Sequence, residues 1–336
     1  MTRASVVAGV GSRLPSRCVT NDDLARTLDT SDEWIRARTG IARRYVADAG
    51  TDTSDLAAGA AERALASARL SPAGVDTVIV ATTTPDRPCP ATAPTVAAKL
   101  GLGPVAAFDV SAVCSGFLYA LATASGLIAS GAAEHVVVIG AETFSRILDP
   151  ADRSTSVIFG DGAGAVVLRA GTPDEPGALG PLLLGSDGTG VDLITVPAGG
   201  PGRPDAAGAD TGSAGRYFTM QGKKVFWLAV QRMGECAATV LGRAGWRVED
   251  VDWLVSHQAN HRITARLADE IGIPPERSVS NIAEVGNTAA ASIPLALDHA
   301  HARRLFRPGD RLLLTAFGGG LTWGAAALTW PAIDPV

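Results

Sequence analysis

Ala106-Ala107-Phe108-Asp109-Val110-Ser111-Ala112-Val113-Cys114-Ser115-Gly116-Phe117-Leu118-Tyr119-Ala120 is the stretch around which the chain is organised. Its first part is an apolar run that predicts a buried strand. The pattern that leads away from it, with Phe117, Leu118, Leu121, Leu127 and Ile128 among small residues, predicts a helix. Cys114 falls at the junction, where the helix begins. Free N–H groups and the positive end of the helix dipole favour a thiolate there. A free cysteine can equally be a small buried hydrophobe, and the stretch alone leaves both roles open.

Outward from Cys114 the same strand-then-helix rhythm recurs. Val6–Val10, Asp76–Thr82, His135–Glu142 and Gly160–Leu168 read as strands, with a long Ala-rich helix over Asp52–Leu70 and a shorter one over Thr92–Leu100. Short helices are expected over Asn21–Leu28 and Ser31–Arg38, each opening on a capping-type residue. This alternation predicts an α/β architecture. A Gly/Pro-rich connection runs from about Gly171 to Gly215, and its part from Pro197 to Gly215 predicts a mobile surface loop. A helix is expected from Gln221 to about Leu241.

The second half repeats the first loosely. Val251–His257 echoes Val75–Ala81, Asp310–Gly318 echoes His135–Gly140, and Trp323–Leu328 echoes Ala163–Leu168. Ser278 to Ile293 echoes the strand and helix flanking Cys114. On this pattern Cys114 and Asn287 occupy equivalent helix starts near a pseudo-twofold axis.

Composition limits the function classes. The 336 residues carry 46% hydrophobic and 19% charged side chains, enough apolar material for a large core. The net charge of −5 gives no electrostatic footprint for nucleic acid. Cys18, Cys89, Cys114 and Cys236 are far apart, so neither a zinc site nor a disulfide framework is expected, and reduced thiols of a cytosol fit better. No leader-like apolar block opens the chain, and no apolar stretch is expected to reach the length of about 18 residues that spans a bilayer. The expectation is a cytoplasmic protein.

His257, in Ser256-His257-Gln258-Ala259-Asn260, follows a predicted buried strand, where α/β sites form. Asn287 stands at a helix start, where a plain N-cap is the bland reading. Gly318-Gly319-Gly320 follows a strand end and would let backbone N–H groups approach a ligand. Two chemistries use Cys, His and Asn together. One is thiol hydrolysis of the papain kind, but its local signature around the cysteine is missing. The other is acyl transfer from a thioester followed by carbon–carbon bond formation. There the cysteine holds the acyl group while His and Asn donate hydrogen bonds to a developing enolate.

Several stretches carry a resemblance. They are Thr30-Ser31-Asp32-Glu33-Trp34-Ile35, Arg38-Thr39-Gly40-Ile41, Ala107-Phe108-Asp109, Cys114-Ser115-Gly116-Phe117, Phe159 to Ala165, His257-Gln258-Ala259-Asn260, Gly286-Asn287-Thr288 and Ala316 to Gly324. Together they resemble the β-ketoacyl-acyl carrier protein synthase III family of thiolase-fold condensing enzymes, over nearly the whole chain. The resemblance implies two pseudo-duplicated halves, 1–170 with the nucleophilic cysteine and 171–336 with the histidine and asparagine. Each half would hold a mixed five-stranded sheet, layered α-β-α-β-α. It implies a homodimer without cofactor, using acyl-CoA and malonyl-acyl carrier protein as substrates.

In residue terms, it implies that Cys114 takes the acyl group, with the N–H groups of Cys114 and Gly319 as oxyanion hole. His257 and Asn287 would stabilise the enolate left by loss of CO2. Trp34 and Arg153 would sandwich the CoA adenine, Arg38 and Arg262 would lie near its phosphates, and Thr30, Phe226, Ala259 and Asn260 would line the pantetheine path. Arg262, Arg266, Lys223 and Lys224 are candidates to dock an acidic carrier protein. Two departures stand out: Cys89, small, sits where the family's acyl-pocket gate aligns, and Ser154 replaces a common glycine beside Arg153. The small gate implies a pocket that admits longer or branched primers. A starter-unit synthase of a polyketide pathway and a non-condensing acyltransferase of the same fold are the alternatives.

Overall fold

The computed structural model describes residues 3–197 and 215–335. Residues 198–214, most of the predicted Pro197–Gly215 loop, lie outside them.

The first sheet joins five strands: β1 (Ala4–Arg13), β2 (Thr77–Ala81), β3 (Ala106–Val110), β4 (His135–Glu142) and β5 (Gly162–Gly171). They lie in the order β1-β5-β4-β2-β3. The first two pairings are antiparallel and the last two parallel. The second sheet joins β6 (Leu179–Ser186), β7 (Trp253–Ser256), β8 (Arg311–Gly318) and β9 (Thr322–Thr329), in the order β6-β9-β8-β7. Its pairings run antiparallel, antiparallel, parallel, in the same sequence of senses. The expected fifth strand is reduced here to an isolated parallel bridge, Leu254 to Ser278. Pro274 and Pro275 lead into that bridge, and proline cannot donate to a ladder.

The duplication is therefore visible in topology: β6, β9, β8 and β7 repeat β1, β5, β4 and β2. Matching hydrogen bonds fix the register. Asp76 N–H donates to His135 O, and Asp252 N–H donates to Arg311 O. The Asp76 and Asp252 carboxylates each accept from the opening N–H of the neighbouring strand.

Seven helices among the described residues complete the layers: α1 (Asp32–Thr39), α2 (Thr53–Ser67), α3 (Ala93–Lys99), α4 (Gly116–Ser130), α5 (Gly222–Ala244), α6 (His261–Ile271) and α7 (Ser292–Ala302). Shorter turns lie at Asn21–Ala25 and Ile282–Val285. Helices α2 and α3 cover the outer face of the first sheet, α5 and α6 that of the second, and α4 and α7 lie between the sheets and touch both. The main core is this central layer, where Phe117, Leu118, Leu121 and Ile128 of α4 meet Ile293, Ala296 and Leu297 of α7.

The central position of α4 corrects one expectation. Val113–Ser130 is 18 residues long with mean hydropathy 1.5, so by length and composition it could cross a membrane. Half of that segment is buried in the fold, and its Ala, Gly, Ser and Thr residues are what two flanking sheets require of a helix packed closely between them.

Candidate active site

Cys114 lies in a single helical turn, Val113–Ser115, that runs into α4. Val113 enters that turn at φ +47°, a rare conformation for a β-branched residue. The turn before α7, Ala289–Ala291, opens identically, with Ala289 at φ +44°. This fixes the true symmetry mate of Cys114 as Ala290. Asn287, expected there, stands three residues earlier, and the sequence reading is corrected on this point.

Gly318, at the end of β8, backs the cysteine. A Cβ on Gly318 would stand 2.7 Å from the Cys114 backbone nitrogen, so only glycine fits. The register makes Gly318 the counterpart of Glu142, which ends β4. Where Gly318 leaves room, Glu142 fills it. Its buried carboxylate accepts from the Thr83 N–H at 3.0 Å and the Thr84 hydroxyl at 2.6 Å. It also faces the N–H of Ala290. Burial pushes Glu142 up to about 7 against these hydrogen bonds.

His257 is the residue after β7. Its N–H donates to Thr315 O at 2.8 Å, and its Nδ1 stands 2.6 Å from the Ser292 hydroxyl at the start of α7. Burial lowers the imidazole to about 3, so it is neutral at physiological pH. Asn287 is held by its backbone between Ile158 O and Gly160 N–H, both at 2.9 Å. Its Oδ1 accepts from the Ala289 N–H at 2.9 Å, a capping contact that leaves Nδ2 without a partner among the described residues. The capping and site readings of Asn287 are therefore compatible.

Cys114, His257 and Asn287 line one cavity of about 290 Å³. Its walls are largely apolar. Val225, Ala229 and Met233 come from one face of α5, Phe317 from the end of β8, and Phe159 and Phe218 form an edge-to-face pair beside the buried Phe144. Phe226, Ala259 and Asn260 also line it. The apolar wall was legible only as helical periodicity along α5, and Phe218 carried no signal at all. A few polar groups in the wall of a largely apolar cavity suit an apolar chain that carries a reactive carbonyl.

The thiol itself departs from expectation. Burial, and to a lesser degree the Glu142 charge, push Cys114 far above the ordinary thiol range, which favours the thiol over the thiolate. Desolvation of a buried charge outweighs the helix start here.

Trp34, Arg38 and Arg153 form an outer cluster. The Arg38 and Arg153 guanidinium carbons stand 4.3 and 5.3 Å from the Trp34 ring centroid. No ring fits between Trp34 and Arg153 at that spacing, since an intercalated base needs about 7 Å, twice the usual contact distance. Arg153 is instead held by Asp29, donating to its backbone oxygen at 2.6 Å and pairing with its carboxylate at 3.0 Å. The cluster connects to the cavity through α6. Asn260 Nδ2 donates to Arg38 O at 3.1 Å, and Arg262 donates to Ala37 O at 2.8 Å. Thr30 precedes α1, its hydroxyl buried and unpartnered among the described residues.

Gly319 follows Gly318 at the end of β8 and packs against Ile194. Cys89 is exposed and lies away from this chain's own cavity. Arg266 pairs with Asp269 and Glu270 of its own helix, which weakens its case as a docking cation.

A family model described as 3-oxoacyl-[acyl-carrier-protein (ACP)] synthase III matches residues 108–188, and one for its C-terminal part matches residues 241–330. Over all 336 residues, the full length of both proteins, the chain is 84% identical to beta-ketoacyl-[acyl-carrier-protein] synthase III 3 of Streptomyces coelicolor. The chain belongs to the 3-oxoacyl-[acyl-carrier-protein] synthase III family. The crystal structure of that synthase from Pseudomonas aeruginosa superposes with a TM-score of 0.92, at 52% identity over 99% of this chain and 100% of that one. The priming β-ketosynthase of the R1128 polyketide biosynthetic pathway superposes with a TM-score of 0.91, at 38% identity over 100% of this chain and 98% of that one. Membership makes the chain a condensing acyltransferase of thiolase fold.

Proposed function

We propose that this enzyme acylates Cys114 from an acyl-CoA and condenses that acyl group with malonyl-acyl carrier protein, opening a fatty acid chain. The observation that carries the reading is the meeting of Cys114, His257 and Asn287 in the wall of one largely apolar cavity.

In the first half-reaction the Cys114 sulfur attacks the acyl-CoA carbonyl. The oxyanion formed is held by the Cys114 and Gly319 N–H groups, each such donor being worth about 3–4 kcal/mol. Collapse expels the CoA sulfur, and the thiol proton ends on it. In the second half-reaction the malonyl carboxylate leaves as CO2. The electron pair of that bond becomes an enolate, whose oxygen receives hydrogen bonds from His257 and Asn287 Nδ2. The enolate carbon attacks the acyl–Cys114 carbonyl, and the cysteine leaves as a thiolate that takes up one proton. A neutral His257 suits this work, because a donor is needed and no net charge has to be carried.

The chain divides in this reading into an acyl-holding half, 1–170, and an enolate-binding half, 171–336. Trp34, Arg38, Arg153 and Arg262 would receive the CoA nucleotide, Arg153 turning away from Asp29 to admit the base. Thr30 would stand beside the incoming pantetheine, and Arg262, Lys223 and Lys224 would meet the carrier protein. The enzyme would act as a cytoplasmic homodimer, with Cys89 of each subunit gating the acyl pocket of its neighbour. The likeness to a priming polyketide ketosynthase favours a second reading, the same chemistry with a starter unit larger than acetyl.

Intact-mass measurement across a panel of acyl-CoA primers, with and without malonyl-acyl carrier protein, tests both. One acyl group per chain, lost when the malonyl partner is added, is the expected result, and Cys114→Ala should take up none. An alanine variant that still condenses would overturn the mechanism. Acylation restricted to acetyl would remove the second reading.

A further inference from the structure

His257 and Ser292 meet where water is excluded, His257 3% and Ser292 1% exposed, with Nδ1 and the hydroxyl oxygen 2.6 Å apart. A neutral imidazole carries one N–H, and the nitrogen that carries it decides whether Nε2 donates or accepts. The Ser292 hydroxyl has no other partner among the described residues. If Nδ1 held the proton and donated to Ser292, the serine hydrogen would have no acceptor, at a cost of about 1–3 kcal/mol for a buried unmade bond. If Ser292 donates to Nδ1, both groups are satisfied and the imidazole proton sits on Nε2. A backbone carbonyl at Nδ1 would force the reverse arrangement.

We infer that Ser292 is a positioning residue: its hydroxyl donates to His257 Nδ1 and holds the imidazole as the Nε2–H tautomer that hydrogen-bonds the enolate oxygen. The inference rests on the condensing reading of the site. No bond is made or broken at Ser292. Its contribution falls on the step in which enolate charge develops, because acylation places its oxyanion elsewhere, against backbone N–H groups.

The test compares wild type, Ser292→Ala and Ser292→Thr in two separately timed half-reactions. These are acylation by acyl-CoA, and condensation of pre-acylated enzyme mixed with malonyl-acyl carrier protein. In parallel, 15N NMR of histidine-labelled protein reads the tautomer directly. The chain has five histidines, and His257→Ala assigns the signal. Wild type should show protonated Nε2 at His257. Ser292→Ala should slow condensation about tenfold more than acylation, the scale of one lost hydrogen bond, and should mix the tautomers. Ser292→Thr, which keeps the hydroxyl, should restore most of both. Equal slowing of the two half-reactions, or a wild-type signal from protonated Nδ1, would overturn the inference. The wild-type spectrum decides this even where the alanine variant folds poorly. If His257→Ala condensed as fast as wild type, the condensing reading would fall, while the spectrum would still report on Ser292.

Discussion

Burial and the helix start pull the Cys114 thiol in opposite directions. Charge at a helix start gains about 0.3–1 kcal/mol, whereas full burial moves a titrating group by as much as about 3–5 pKa units. Burial wins, and the resting nucleophile is protonated. A thioester exchange tolerates this, because the proton can travel to the departing sulfur. Iodoacetamide labelling at pH 8, read by peptide mass, should therefore modify the exposed Cys18 well before Cys114. Faster labelling of Cys114 would show that the helix start dominates. Cys114 was legible as a nucleophile from its place at a strand–helix junction. Its protonation was not, because burial depends on Phe159, Ile194, Phe317 and Leu321, which come from distant parts of the chain.

The two turns that precede α4 and α7 show what an element-level reading can and cannot see. The strands matched between halves, because Val, Ile and Leu runs mark them. The three-residue error at Asn287 arose because the landmark of each turn is a positive φ carried by Val113 and by Ala289, and neither letter announces it. Ser292 and Glu142 were missed for a related reason: their partners lie 35 and about 60 residues away in sequence. Glu142 ties the Thr82–Thr84 segment to the turn before α7, and its titration is measurable. Its folded pKa, about 7, is raised above the ordinary 4.5. Below 4.5 both folded and unfolded states hold the proton and no penalty arises. Above 7 the folded state carries a buried charge. The protein should thus lose stability relative to Glu142→Gln as pH rises from 4.5 to 7, by about 3 kcal/mol. Urea unfolding of both proteins at pH 5 and pH 8 measures most of that change. A gain in the same interval would mean that the hydrogen bonds from Thr83, Thr84 and Ala290 outweigh desolvation.

At the scale of the whole molecule, the site exists because two sheets close on α4 and α7 from opposite sides and bring the ends of β7 and β8 to the start of α4. The approach is tight. A Cβ on Gly164 of β5 would stand 2.6 Å from the Leu295 nitrogen in α7, so Gly164→Ala must push that helix off the sheet. Overpacking of this kind costs about 1–3 kcal/mol, and urea unfolding should show it. Condensation should also slow, since Ser292 and Asn287 flank the displaced helix start. Unchanged stability would mean that the layers separate freely. The alternation of elements foretold an α/β architecture, and the family resemblance implied the layering, but neither could say which half meets negative charge in which way. In one half the helix-start amide of Ala290 looks onto a carboxylate built into the chain. In the other, the equivalent amide of Cys114 looks onto the bare backbone of Gly318. One copy is neutralised from the moment it folds, and the other acquires its anion only while a bond is being made. A duplicated fold has in this way become directional, its chemistry confined to one side of its own axis.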